Sequence, residues 1–108
     1  MARILVVTDD LLFGSRLEAD LAGHEVRLSP LPGTDAELLI ADLTIDAEER
    51  IAALTELAGR PPTLAYYSHV DTAVRERAKL AGLELVVPRS RIAREAAALA
   101  TQLLAPRA

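Results

Sequence analysis

Three aspartates carry the chemistry this sequence could do. Asp9 and Asp10 follow the aliphatic run Ile4-Leu5-Val6-Val7, with only Thr8 between, and Asp42 ends a second run, Leu38-Leu39-Ile40-Ala41. Carboxylates crowded into one volume repel unless a cation neutralises them. Hard Mg²⁺ takes oxygen ligands of this kind. A carboxylate can also act as a nucleophile and form an aspartyl-phosphate. The trio therefore has two chemical readings: a Mg²⁺ site built from Asp9, Asp10 and Asp42, and a phosphoacceptor at Asp42. The plainer reading is that these residues cap helices or face water.

Both chemical readings need the two strand ends to meet. A short run that is apolar throughout reads as a strand covered on both faces, as in a parallel sheet. In such sheets ligands sit beyond the carboxyl ends of the strands, where Asp9, Asp10 and Asp42 lie. Between the strands, Phe13, Leu17 and Leu21 fall four apart, the spacing of one helical face. Asp10 is placed to cap that helix and Gly23-His24 to end it. Glu25-Val26-Arg27-Leu28 alternates as a half-covered edge strand does. Ser29-Pro30-Leu31-Pro32-Gly33 then leaves no room for a helix. A parallel crossover normally needs one. Strands two and three are thus joined by an abnormal crossover, or they lie on opposite sides of strand one.

Further along, Asp46 and Glu49 have capping-box spacing before a helix that buries Ala47, Ile51 and Leu54, with Leu57 or Ala58 after them. Thr63 to Tyr67 is a fourth strand. Asp71 caps a helix bearing Val74, Ala78 and Ala81, closed by Gly82. Leu83 to Val87 is a fifth strand, ended by Pro88. Ser90 caps a last helix with Ile92, Ala96, Leu99 and Leu103 on one face, stopped by Pro106. The order β-α-β-loop-β-α-β-α-β-α predicts one α/β domain over residues 1–108, an open doubly wound parallel sheet with one helix missing.

Composition narrows the field. The 108 residues are 51 % apolar with three aromatics, so the core is aliphatic. Cysteine is absent, which excludes disulfides and thiolate chemistry. No signal-peptide pattern and no membrane-length run is visible, and we expect a soluble cytoplasmic protein. A net charge of −4 argues against nucleic acid as partner. The charge is uneven: residues 1–87 carry fifteen acids and eight bases, residues 88–108 one acid and four arginines. His69 reads as an exposed loop residue and His24 has no evident partner, so a histidine metal site is not expected. No nucleophile elbow or Gly-rich phosphate loop is present.

Val6-Val7-Thr8-Asp9-Asp10, Ile40-Ala41-Asp42, His69-Val70-Asp71 and Ala81-Gly82, in this order and spacing, resemble a bacterial response-regulator receiver domain (CheY-like) from Ile4 to Leu104. The resemblance implies a flavodoxin-like five-stranded sheet in the order 2-1-3-4-5, with the second helix replaced by the Pro-rich loop. It also implies an acidic pair holding Mg²⁺, Asp42 as the residue phosphorylated by a histidine kinase, a Thr or Ser ending strand four and a Lys before a Pro ending strand five. The departures are specific. Thr8 stands where the first acid belongs, leaving Asp9 and Asp10. Tyr67 takes the place of the switch hydroxyl, with Ser68 next to it. Pro88-Arg89 reverses the Lys-Pro order, and Arg89 replaces the lysine as the phosphate partner. Preorganised charge is what makes phosphoryl transfer fast. The expectation is a non-enzymatic, pseudo-receiver module that binds another protein, requiring no cofactor. The alternative is a Mg²⁺-dependent phosphoacceptor in a two-component relay. The resemblance further implies homodimer contacts through the helix before strand five, strand five and the last helix, a face bearing Arg75, Arg77, Lys79, Arg91 and Arg94.

Overall fold

Two apolar runs make the centre of the sheet. In the computed structural model, which describes residues 1–104, β1 (Arg3–Val7) and β3 (Leu38–Asp42) pair in parallel, Val6 beside Ile40. Residues 4–7 and 38–42 are all buried, because helices cover both faces. β2 (Glu25–Ser29) lies outside β1, and β4 (Thr63–Tyr67) and β5 (Leu85–Pro88) follow β3 outward. The five parallel strands run β2-β1-β3-β4-β5. β2 and β3 therefore flank β1, which settles how a loop of eight residues can join them: it crosses one strand and needs no helix.

Among the described residues four helices cover the sheet: α1 (Leu11–Asp20), α2 (Ala47–Thr55), α3 (Thr72–Leu80) and α4 (Arg89–Leu104). α1 and α4 share one face. Phe13, Leu17 and Leu21 pack there with Ile4, Val6, Ile40 and Tyr66, and with Ile92, Ala96 and Leu99. α2 and α3 share the other, where Ile51, Leu54, Val74 and Ala78 meet Leu5, Val7, Leu39 and Tyr67. Gly14 lets α1 approach closely. A Cβ there would come within 3.1 Å of Leu28 Cδ1 and 3.3 Å of Thr8 Cγ2.

The missing helix explains the alternation in β2. Val26 and Leu28 pack on the α1 side. Glu25 and Arg27 face the uncovered side and are exposed. Arg27 Nη2 donates to the Asp35 carbonyl at 2.9 Å, and Arg3 pairs with the Asp35 carboxylate at 3.0 Å. The Pro-rich loop is thus tied by ion pairs over a face that a helix would otherwise have filled.

Three local expectations are corrected. Asp46 does precede α2, but in the left-handed region (φ 53°), and its side chain caps nothing. α4 begins at Arg89, directly after Pro88, so Ser90 sits inside its first turn rather than capping it. His24 has a partner: its Nδ1 accepts from the Ala2 N–H at 3.0 Å. Asp10 and Asp71 do cap, accepting from Phe13 N at 3.0 Å and Val74 N at 3.2 Å. Pro106 lies outside the described residues.

Candidate functional site

The carboxyl ends of β1, β3 and β4 bring Thr8, Asp42 and Tyr66 together. All three side chains are buried, Asp42 only 4 % exposed. A carboxylate so placed must find donors. Thr8 Oγ1 donates to Asp42 Oδ2 at 2.7 Å. Thr44 donates to Oδ1 twice, from its N–H at 2.8 Å and its hydroxyl at 2.5 Å. Thr8 Oγ1 also accepts from the Asp10 N–H at 2.9 Å, so one hydroxyl braces the β1 end against the β3 end. Thr8, at the position where the resemblance implies an acid, therefore bonds to Asp42, where a carboxylate would repel it.

The two other acids turn elsewhere. Asp9 is 68 % exposed along its side chain and pairs with Arg50 Nη2 at 3.0 Å. Asp10 caps α1 with Oδ1 and meets Arg89 Nη2 across 3.6 Å with Oδ2. The three carboxylates do not converge on one point. Among the described residues no group of three or more His, Asp or Glu side chains is disposed to hold a metal ion. As they stand, the donors do not fit a Mg²⁺ ion held jointly by Asp9, Asp10 and Asp42. Both Asp42 oxygens already accept, and a guanidinium lies on Asp9.

Arg50 escaped the sequence reading. It belongs to the first turn of α2, and its side chain is 10 % exposed. Nη1 donates to the Asp42 carbonyl at 3.0 Å, and Nη2 reaches both Asp9 and the Pro30 carbonyl, the latter at 3.2 Å. A lone Arg as the fourth residue of a helix carries no pattern that marks it as part of a site.

The tyrosines divide between the faces of the sheet. Tyr66 lies opposite Asp42 in the β3–β4 register, and Tyr67 lies opposite Pro88. Tyr66 belongs to the α1/α4 core and Tyr67 to the α2/α3 core, as strand alternation demands. The phenol beside Asp42 is thus Tyr66, one residue before the position the resemblance indicated. Its hydroxyl has no hydrogen-bond partner. Burial pushes the phenol pKa well above its ordinary value and the charge on Asp42 adds to the shift, while the nearby Thr8 hydroxyl, whose proton is given to Asp42, and the Arg89 charge offset part of it. Tyr66 remains a neutral phenol at any ordinary pH.

Outside Tyr66 lies a stack that ends at solvent. The Phe13 ring packs on Tyr66 at 5.3 Å between centroids, tilted by 54°. Arg89 Cζ sits 4.2 Å above the Phe13 centroid, a cation–π contact. Asp10 holds the other side of Arg89. Beyond this stack is an open cleft of about 640 Å³, lined among others by Arg16, Thr44, Ser68, His69 and Arg89. Ser68 and Arg89 therefore line one cleft, whereas Asp42 is buried behind threonine hydroxyls.

No protein-family model and no curated protein matches the chain. Solved structures do. NtrX from Brucella abortus, solved with ADP, superposes with a TM-score of 0.78 at 20 % identity, over 95 % of this chain. The chain spans 27 % of that protein's length. The phosphorylated cyanobacterial phytochrome response regulator RcpA gives 0.81 at 12 % identity, covering 99 % of this chain and 96 % of its own. The non-phosphorylated HemR receiver domain from Leptospira biflexa gives 0.68 at 20 %, covering 100 % and 98 %. Identities this low speak to architecture, and with the strand order they make the fold that of a response-regulator receiver domain, lacking the helix between the second and third strands.

Proposed function

We propose that this chain is a receiver-like signalling module that works by binding another protein, without conventional phosphorylation. The bonding of Asp42 carries the reading. An acceptor carboxylate needs a free oxygen, a neighbouring cation and space for the incoming group. Asp42 instead accepts three hydrogen bonds from Thr8 and Thr44 and is 4 % exposed. The buried phenol of Tyr66, without a hydrogen-bond partner among the described residues, lies opposite Asp42 in the strand register. Arg89, the residue in the place of the lysine, is engaged with Phe13 and Asp10. The partner surface we favour is the face of α3, β5 and α4. It carries Arg75, Lys79, Arg91 and Arg94, with Leu80 88 % exposed at its margin, whereas Arg77 turns to Glu48 of α2. A second copy of the chain is a candidate occupant. So is an acidic protein.

A second reading rests on the acids. Asp9, Asp10 and Asp42 are all present at the strand ends, and the fold is shared with a phosphorylated response regulator, RcpA. In that reading Asp42 accepts a phosphoryl group from a histidine kinase after Thr8 and Thr44 release it. Titration with beryllofluoride and Mg²⁺, followed by backbone amide NMR, decides between the two. We expect no saturable shift at millimolar concentrations. Shifts around Asp42, Thr44 and Arg89 that vanish in Asp42→Asn would establish an acceptor and overturn the first reading.

A further inference from the structure

Arg50 is the buried charge that the receiver resemblance does not account for. Its guanidinium touches three oxygens from three separate strand ends: the Asp9 carboxylate after β1, the Pro30 carbonyl after β2 and the Asp42 carbonyl that closes β3. One carboxylate and two carbonyls are the oxygen set a hard divalent cation takes. A planar guanidinium meets the same set with its fork of N–H donors.

We infer that Arg50 is a resident cation that takes the place of a divalent metal at the acidic end of the sheet. The inference rests on the receiver-like reading of this site, but not on whether Asp42 accepts phosphate. Position and attachment make the substitution effective. Arg50 is fixed to α2, whose entry is set by the left-handed turn at Asp46. Its side chain is nine-tenths buried, so solvent and salt screen its charge less than that of a surface lysine. A metal entering here would have to expel a covalently tethered charge and leave it without acceptors, which is costly in a buried setting. The Pro30 contact adds a structural consequence. The same cation fastens the helix-less loop to the site, so the charge balance and the loop position depend on one side chain. The site is then independent of metal concentration.

The test uses Mn²⁺ alone as the probe, with paramagnetic broadening of backbone amides as readout and no phosphoryl analogue present. Metal exclusion is thereby scored apart from any chemistry at Asp42. We expect the wild-type chain to show no site-specific broadening around Asp9, Thr44 or Arg50 up to millimolar Mn²⁺. Arg50→Ala should acquire saturable broadening at those amides, at least about tenfold tighter, and lose it again in Arg50→Ala/Asp9→Asn. Should Arg50→Ala not fold, Arg50→Gln, which keeps a neutral donor toward the Asp42 carbonyl, serves in its place. Saturable broadening in the wild type would overturn the inference. So would a folded Arg50 variant that still takes up no metal, because something other than the guanidinium would then be keeping it out.

Discussion

At the scale of single residues, the site is governed by which polar atoms have partners. Asp42 is fully served by Thr8 and Thr44, whereas the Tyr66 hydroxyl is buried with none. A buried hydroxyl without a bond retains its desolvation cost and returns nothing. Tyr66→Phe should therefore leave stability unchanged or raise it by up to about 1 kcal/mol, since the ring and its contact with Phe13 remain. Urea unfolding of the two proteins measures this directly. A loss above about 1 kcal/mol would mean that the hydroxyl is bonded and that the phenol helps to hold Asp42. The acids and the altered positions around them were legible in the sequence, because each falls at the end of an apolar run. Two decisive residues were not. Tyr66 was hidden by its neighbour: two adjacent tyrosines point to opposite faces, and only the register with β3 shows which meets Asp42. Arg50 was hidden because its partners lie 8, 20 and 41 residues away in the chain. No local pattern encodes such a contact.

At the scale of elements, periodicity carried most of the fold. In α1, α3 and α4 the expected Phe13, Leu17, Val74, Ala78, Ile92, Ala96, Leu99 and Leu103 are all buried, joined by Gly14 and Ala100, while Ala81 is half-buried beyond the end of α3. The alternation of β2 in the sequence matches its one uncovered face. Element starts were less legible, because a cap motif and a turn can use the same residue types. Asp46 shows this. It has capping-box spacing, yet it adopts φ 53° and makes no cap bond, since the chain must turn sharply from Asp42 and Thr44 to bring Arg50 back over the strand ends. The left-handed region is unfavourable for a residue with a Cβ, and aspartate tolerates it better than alanine does. Asp46→Gly and Asp46→Ala both remove the carboxylate, so their difference isolates the backbone. Asp46→Ala should be less stable than Asp46→Gly by about 1 kcal/mol. Equal thermal midpoints for the two variants would show that the turn relaxes out of the left-handed region and does not set the start of α2.

At the scale of the whole molecule, the two ends of the sheet have different electrostatic designs. The Asp42 end is braced by hydroxyls and Arg50. At the opposite end Asp35 and Glu37 accept from Arg3 at the start of β1, and Glu84, which lies ahead of β5, serves the β4–β5 side. Glu84 Oε1 accepts from Arg60 Nη1 and from the N–H of buried Thr63, both at 2.8 Å. It thereby ties the turn before β4 to the turn before β5. Partial burial alone would raise the Glu84 pKa, but the bonds from Arg60 and Thr63 outweigh it, and the folded-state value lies below the ordinary 4.5. The folded chain therefore binds this proton less readily than the unfolded chain. The resulting stabilisation is fully present above 4.5 and is lost as the pH falls through the depressed folded-state value. Glu84→Gln keeps an acceptor for Thr63 but removes the negative charge, and with it both the titration and the ion pair with Arg60. Stability measured by urea unfolding from about pH 6 to about pH 3 should fall more steeply in the wild type than in Glu84→Gln, with a difference at neutral pH of roughly 1 kcal/mol, modest because the carboxylate is about a third exposed. Parallel pH profiles would show that the Arg60–Glu84 pair has no net effect. The consequence reaches the proposed partner surface. β5 is an edge strand paired only with β4, and it lies between α3 and α4 on the favoured binding face. Loosening its entry by acid should weaken partner capture before the Asp42 end is disturbed. Amide exchange rising first at Leu85 and Val86, while Ile40 and Ala41 stay protected, is the pattern that this arrangement requires.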